Sequence, residues 1–183
     1  MNKVVVLGGN ARSGKSTLSN MLVRNGFSKI SFDLLYDIFR ETLNIEELDN
    51  ETKFNIYKKV VEQSIEDSVT NNINIVIDMY DFLPSDIERL DYKNDIEVYF
   101  LAYPNNSIET IKENIIKYSK PSDWIAQVNE NYLNECIKRF YDRNELLVNE
   151  CNKYNHTLID TKSGEGRTKV LNELFNKITK DTE

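Results

Sequence analysis

Val4-Val5-Val6-Leu7-Gly8-Gly9-Asn10-Ala11-Arg12-Ser13-Gly14-Lys15-Ser16-Thr17 is the stretch on which the fold turns. Val4 to Leu7 is an apolar run as long as one buried strand. From Gly9 the chain spells G-x-x-x-x-G-K-S, a complete P-loop pattern. Leu18, Met21 and Leu22 follow at helical spacing. The motif therefore sits between a strand and a helix, the context in which the pattern means a site. Glycine lets the backbone bend tightly and turn its N–H groups toward phosphate oxygens. The helix that follows adds the positive end of its dipole. Three of the six glycines, Gly8, Gly9 and Gly14, fall in this one loop. The residues expected at a nucleotide are Gly9, Asn10, Ala11, Arg12, Ser13, Gly14, Lys15, Ser16 and Thr17. Lys15 is expected to reach the β- and γ-phosphates, and the Ser16 hydroxyl to hold Mg²⁺. Arg12 is an unusual long cation inside such a loop; it reads as touching phosphates or acceptor, or as facing water.

Outward from this stretch, strands and helices alternate. Lys3 to Leu7 reads as strand one, and Gly14 to about Arg24 as helix one, ended by Gly26. Phe27 to Phe32 alternates as a second strand. Leu35, Ile38, Phe39, Thr42 and Leu43 then keep amphipathic helical spacing. A helix from about Glu51 to Thr70 carries Phe54, Tyr57, Val61, Ile65 and Val69 on one face. Ile73 to Ile77 is strand three, ending at Asp78. A loop and short helix follow, with Pro84-Ser85-Asp86 as the helix start. Ile96 to Ala102 is strand four, and Ser107 caps the next helix. After Lys120-Pro121-Ser122, one long amphipathic stretch runs from about Ser122 to Lys153. His156 to Ile159 is strand five, ending at Asp160, and the last helix runs from about Gly166 to Lys180. Such alternation means βα units, a parallel sheet and a doubly wound α/β fold. Ligands of such sheets sit beyond the carboxyl ends of the strands. The P-loop, Asp33, Asp78 and Asp160-Thr161 gather at those ends.

Composition bounds the rest. The chain has 183 residues, the size of one domain with a proper core. No apolar run approaches the roughly 18 residues of a membrane span. The first strand begins at once, so no signal peptide is expected, and a cytoplasmic protein with reduced Cys136 and Cys151 is. The net charge of −7 argues against an extended nucleic-acid footprint, which needs a basic face. With His156 as the single histidine, neither a His-based metal site nor a Ser-His-Asp triad has its parts. Trp124, a lone tryptophan, reads as a core residue rather than a platform for a cofactor. A GTPase switch would need N-K-x-D and D-x-x-G motifs, and the sequence has neither.

The N-terminal P-loop, Ile30-Ser31-Phe32-Asp33, Ile75-Val76-Ile77-Asp78 and Leu158-Ile159-Asp160-Thr161 together resemble the P-loop kinases of small molecules. That group includes adenylate, shikimate and gluconate kinase-like enzymes, chloramphenicol phosphotransferase and the kinase domain of polynucleotide kinase. The resemblance covers nearly the whole chain. It implies a three-layer α/β/α P-loop fold over residues 1–183, with a five-stranded parallel sheet in the order 2-3-1-4-5. It implies ATP, Mg²⁺, a small-molecule acceptor above strands two and three, and a helical lid at about 112–145, in a monomer or homodimer. By the same resemblance Asp33 binds the acceptor and takes its proton, the alternative being a helix N-cap. Asp78 contacts the acceptor or the magnesium shell, and Asp81 follows in the same loop. The lid pattern departs from the group: the helix after strand four has no arginine. Arg139 and Arg143, one turn apart, are left as lid residues, or else as a solvated face paired with Asp142, Glu145 or Glu135. Lys117 and Lys120 are the other cations there. Gly164-Glu165-Gly166 stands where relatives hold the adenine. The activity implied is transfer of the γ-phosphoryl group of ATP to a hydroxyl or phosphate acceptor such as a nucleoside, nucleotide, sugar or antibiotic. A non-catalytic ATP-binding module and a nucleic-acid end kinase remain as alternatives.

Overall fold

The computed structural model describes residues 2–162 and 165–180. Five strands, β1 (Val4–Gly9), β2 (Phe27–Ser31), β3 (Asn74–Asp78), β4 (Glu97–Ala102) and β5 (Thr157–Asp160), form one sheet in the order β2-β3-β1-β4-β5. Every neighbouring pair is parallel. The order expected from the resemblance is the order found.

Seven helices connect and cover the strands among the described residues: α1 (Lys15–Arg24), α2 (Phe32–Leu43), α3 (Asn50–Asn71), α4 (Pro84–Ile87), α5 (Ile108–Tyr118), α6 (Glu130–Tyr154) and α7 (Glu165–Lys180). Strand alternation sorts the core onto two faces. Val4, Val6, Ile75, Ile77 and Phe100 pack with Phe54, Tyr57 and Val61 of α3 and Leu147 of α6. Val5, Leu7, Val76 and Leu101 face the other way, onto Leu18 and Leu22 of α1 and Leu171 and Leu174 of α7. A third cluster, with Ile111 and Ile115 of α5 and Cys136, Ile137 and Phe140 of α6, lies apart from both. Both cysteines are buried free thiols on α6.

Local chemistry sets the boundaries. Helices α2, α3 and α6 end on Asn44, Asn72 and Asn155, each in the left-handed conformation that asparagine tolerates. Ser107 caps α5 by accepting from Thr110 N–H.

Three expectations are corrected. The stretch Ser122–Lys153 is two elements: a 3₁₀ turn at Trp124–Ala126, then α6, because the Asn129 side chain accepts from Tyr132 N–H and starts a new helix. Trp124 lies on that turn and is 54% exposed, so it is no core residue. Val69 is 74% exposed on the last turn of α3, where Ser68 donates to Ile73 O.

Candidate active site

The P-loop is built from three anchors. Gly9 (φ 122°) has no room for a side chain, because a Cβ there would meet the Leu101 carbonyl of β4. Gly14 (φ 98°) is the N-cap of α1 and lies against Leu171. No side chain caps that helix, so its first N–H groups face the loop's hollow. Asn10 is the third anchor and is fully buried. Its Nδ2 donates to Phe140 O at 2.6 Å and to Asn144 Oδ1 at 2.9 Å, while its Oδ1 accepts from Ala11 N–H. Asn144 Oδ1 also accepts from Tyr103 N–H. The Asn10 side chain thus ties the loop to α6 instead of facing a ligand, and its contribution there is through the backbone.

Inside the loop, Ser13 Oγ donates to Asn10 O at 2.8 Å. Lys15 is 7% exposed, and its Nζ donates to Asn10 O at 2.7 Å and Gly9 O at 3.4 Å. Burial pulls its pKa down to about 8, against the opposing charges of Asp78, Asp33 and Asp81 and with a further push from Arg143. Those four residues are therefore the electrostatic surroundings of the lysine. Ser16 and Thr17 are exposed at the start of α1. Arg12 adopts the left-handed conformation and forms an ion pair with Asp123 at 3.0 Å, with its side chain partly exposed.

The acids come from two elements. Asp33 lies in the first turn of α2, whose N-cap is Ser31, so Asp33 is not the cap. Loss of hydration, then the charge of Asp78, holds its carboxyl above the ordinary range. Asp78 ends β3 and is buried. Its Oδ2 accepts from Ser19 Oγ and pairs with Lys29 Nζ, both at 3.3 Å. Asp81 is likewise raised by lost hydration, with Arg143 pulling it back and Asp33 pushing it further. Asp160 is not part of this group. It accepts from Asn105 Nδ2, and Thr161 Oγ1 donates to Ala102 O.

Helix α6 separates its two arginines. Arg143 donates to Tyr80 O and lies 4.0 Å from the Tyr80 ring centroid; its charge acts on both Lys15 and Asp81. Arg139 is exposed and stays on its own helix, against Cys136 Sγ and over Tyr132. Of Asp142, Glu145 and Glu135, the acids expected to pair them, Asp142 bonds Lys138 instead. Lys117 and Lys120 are exposed.

Sequence reasoning missed Lys29, Tyr80, Asn144 and Arg167. Lys29 had a signal: the alternation of β2 puts it on the same sheet face as buried Phe27, an odd place for a lysine without a partner. Tyr80, also 5.8 Å from Lys15 Nζ, had none. Arg167 joins Arg12, Tyr103, Asn114 and Tyr118 around a cavity of about 30 Å³ beside the P-loop. Arg167 Nε and Asn114 Nδ2 are buried there without hydrogen-bond partners. Of Gly164-Glu165-Gly166, Gly164 lies outside the described residues, and Gly166 is in the first turn of α7. A groove of about 800 Å³ lies elsewhere, between α3 and β2, and is lined by Ile30, Ile56, Val60 and Ile75. It holds no P-loop residue, so chemistry rather than size locates the site.

The chain matches no protein-family model and no curated protein sequence. Solved structures resemble it over its full length. Shikimate kinase from Acinetobacter baumannii, in complex with shikimate, aligns with TM-score 0.55 and 18% identity, over 99% of this chain and 95% of that one. Dephospho-CoA kinase from Campylobacter jejuni gives 0.55 and 15% over the whole of both chains. A gluconokinase from Sinorhizobium meliloti 1021 gives 0.53 and 14%, over 100% and 98%. The fold is that of the small-molecule P-loop kinases. At these identities the P-loop kinase fold is what the likeness establishes, and chemistry must be argued from this chain's own residues.

Proposed function

We propose that the protein is an ATP- and Mg²⁺-dependent phosphotransferase that moves the γ-phosphoryl group to a small-molecule acceptor. The observation that carries this reading is the convergence of Asp33, Asp78, Asp81 and Arg143 on the P-loop lysine, from α2, β3, the loop after β3 and α6. The P-loop amides and the α1 N-terminus cradle the phosphates. Lys15, freed from the two carbonyls that now hold it, follows the charge onto the β/γ-oxygens. Arg143 faces the transferring group and offsets charge that builds there. Asp33 accepts the acceptor's hydroxyl proton as that oxygen bonds to the γ-phosphorus and the bond to the β–γ bridging oxygen breaks, releasing ADP. Arg12 and Arg167 line the small cavity beside the loop, on the side toward which the nucleoside end extends. Residues of about 112–145 act as the lid.

The donor set suits magnesium, which takes hard oxygens and keeps waters beside one or two carboxylates and substrate phosphates. Ser16 offers a hydroxyl without a side-chain hydrogen bond, and Asp78 a carboxylate. No cluster of three or more metal-ligating side chains exists among the described residues, so phosphates and water complete the shell. Bound there, the ion would neutralise charge on the β- and γ-oxygens.

The test is ADP release with Mg²⁺, ATP and a panel of hydroxyl and phosphate acceptors. Acceptor-dependent release that Lys15→Ala removes supports the reading. Tight ATP binding with no transfer to any acceptor would return the protein to the non-catalytic class.

A further inference from the structure

The charges facing the cleft say which acceptors it admits. Two carboxylates, Asp33 and Asp81, are exposed there, and neither has a hydrogen bond or ion pair among the described residues. They act on each other and on Lys15. An acceptor bound between β3 and α2 must lie against both. The cations that would welcome a negative acceptor are already engaged. Lys29 is paired with Asp78 at 3.3 Å and donates to Asn20 Oδ1 at 3.4 Å. Lys53 donates to Glu46 O at 3.2 Å. Arg40 is paired with Asp37 at 3.3 Å. Arg143, whose charge acts on Asp81, is committed to the transferring phosphoryl group in the phosphotransferase reading. Lys15 belongs to the nucleotide. The phenols of Tyr36, Tyr57 and Tyr80 also sense Asp81, and they offer ring faces and hydroxyls but no positive charge.

We infer that the acceptor is a hydroxyl compound without phosphate or carboxylate, neutral or amine-bearing, and that Asp81 is the residue that sets this preference. The inference rests on the phosphotransferase reading and narrows it. A phosphomonoester or carboxylate in this place would stand beside two carboxylates that no cation bonds directly and the γ-phosphate at once, and like charges juxtaposed in a site select against a partner. An ammonium would instead gain Asp81 as its counter-charge, and a neutral polyol would gain it as a hydrogen-bond acceptor.

Matched acceptors that differ in charge test this. ADP release is measured at saturating MgATP with a nucleoside and its 3′-monophosphate, which keeps the 5′-hydroxyl, and with glucosamine and gluconate, at low and high salt. The neutral or amino member of each pair is expected to have the higher kcat/KM, by about tenfold or more, with the gap narrowing in high salt. Asp81→Asn should shrink the gap, and Asp81→Lys should reverse it. Preference of the wild-type protein for the anionic members overturns the inference while leaving phosphoryl transfer intact. Bound ATP with no turnover of any member overturns the phosphotransferase reading beneath it.

Discussion

Lys15 is charged at a cost in the ligand-free protein. Its pKa falls from 10.5 to about 8, so folding disfavours its protonated form. The penalty is complete below pH 8 and disappears as pH rises through 8 toward 10.5, where the unfolded chain also loses the proton. Lys15→Met keeps the stem and removes the charge. It should stabilise the ligand-free protein at pH 7 by about 1–3 kcal/mol, with the advantage gone above about pH 10.5. Urea melts across that range check this. Phosphoryl transfer by the same variant should be abolished, because the positioned cation is lost. Asp33 titrates with the opposite consequence. Its carboxylate is needed as the base, and its pKa lies above the usual 3.8. Activity should therefore fall, as pH drops, through a pKa above the ordinary aspartate value. Asp33→Asn should lower kcat by about 10²-fold or more and remove that acid limb, with ATP affinity nearly unchanged. Ser31 holds the cap position, so melting should shift little. Full turnover in the Asp33→Asn protein would move the base to Asp78.

At the scale of elements, α6 sorts its arginines by one helical turn, roughly 5.4 Å. Phe140, Asn144 and Leu147 form its buried stripe, and Arg143 stands beside the part that meets the P-loop. Arg143→Ala should lower kcat more than it weakens ATP binding, as expected for a contact strengthened in the transition state. Arg139→Ala should leave kcat within about twofold, since that side chain is spent on Cys136 and Tyr132. Steady-state kinetics on both variants decide the matter; equal losses would put Arg139 back in the cleft. Spacing alone put the two arginines on one face and had no means to choose between them. What spacing did carry was the order of strands and helices, because alternation and 3.6-residue periodicity are local. Trp124 was misplaced because the local signal at Asn129, an N-cap that restarts the helix, was read through, and the turn before it lies outside the core. Tyr80 and Asn144 were silent because their partners lie far along the chain: 63 residues for Tyr80–Arg143 and 134 for Asn10–Asn144.

For the whole molecule, β1 at the centre of the sheet joins the site to the fold. Gly9 is both the last residue of β1 and the first of the P-loop, paired to Leu101. Gly9→Ala should therefore damage both, lowering stability by about 3 kcal/mol or more, with a reduced urea midpoint at unchanged slope. MgATP should raise the melting temperature of the wild-type protein, equivalent to about 2.7 kcal/mol at roughly a hundred times Kd, and should not do so for Lys15→Met to the same extent. The Asn10–Asn144 bond carries this dependence into the order of synthesis. A ribosome delivers the P-loop first, and the partner that holds it in shape comes 134 residues later. The nascent protein thus has the sequence of its phosphate cradle long before it has the cradle, and a usable one arrives only with α6.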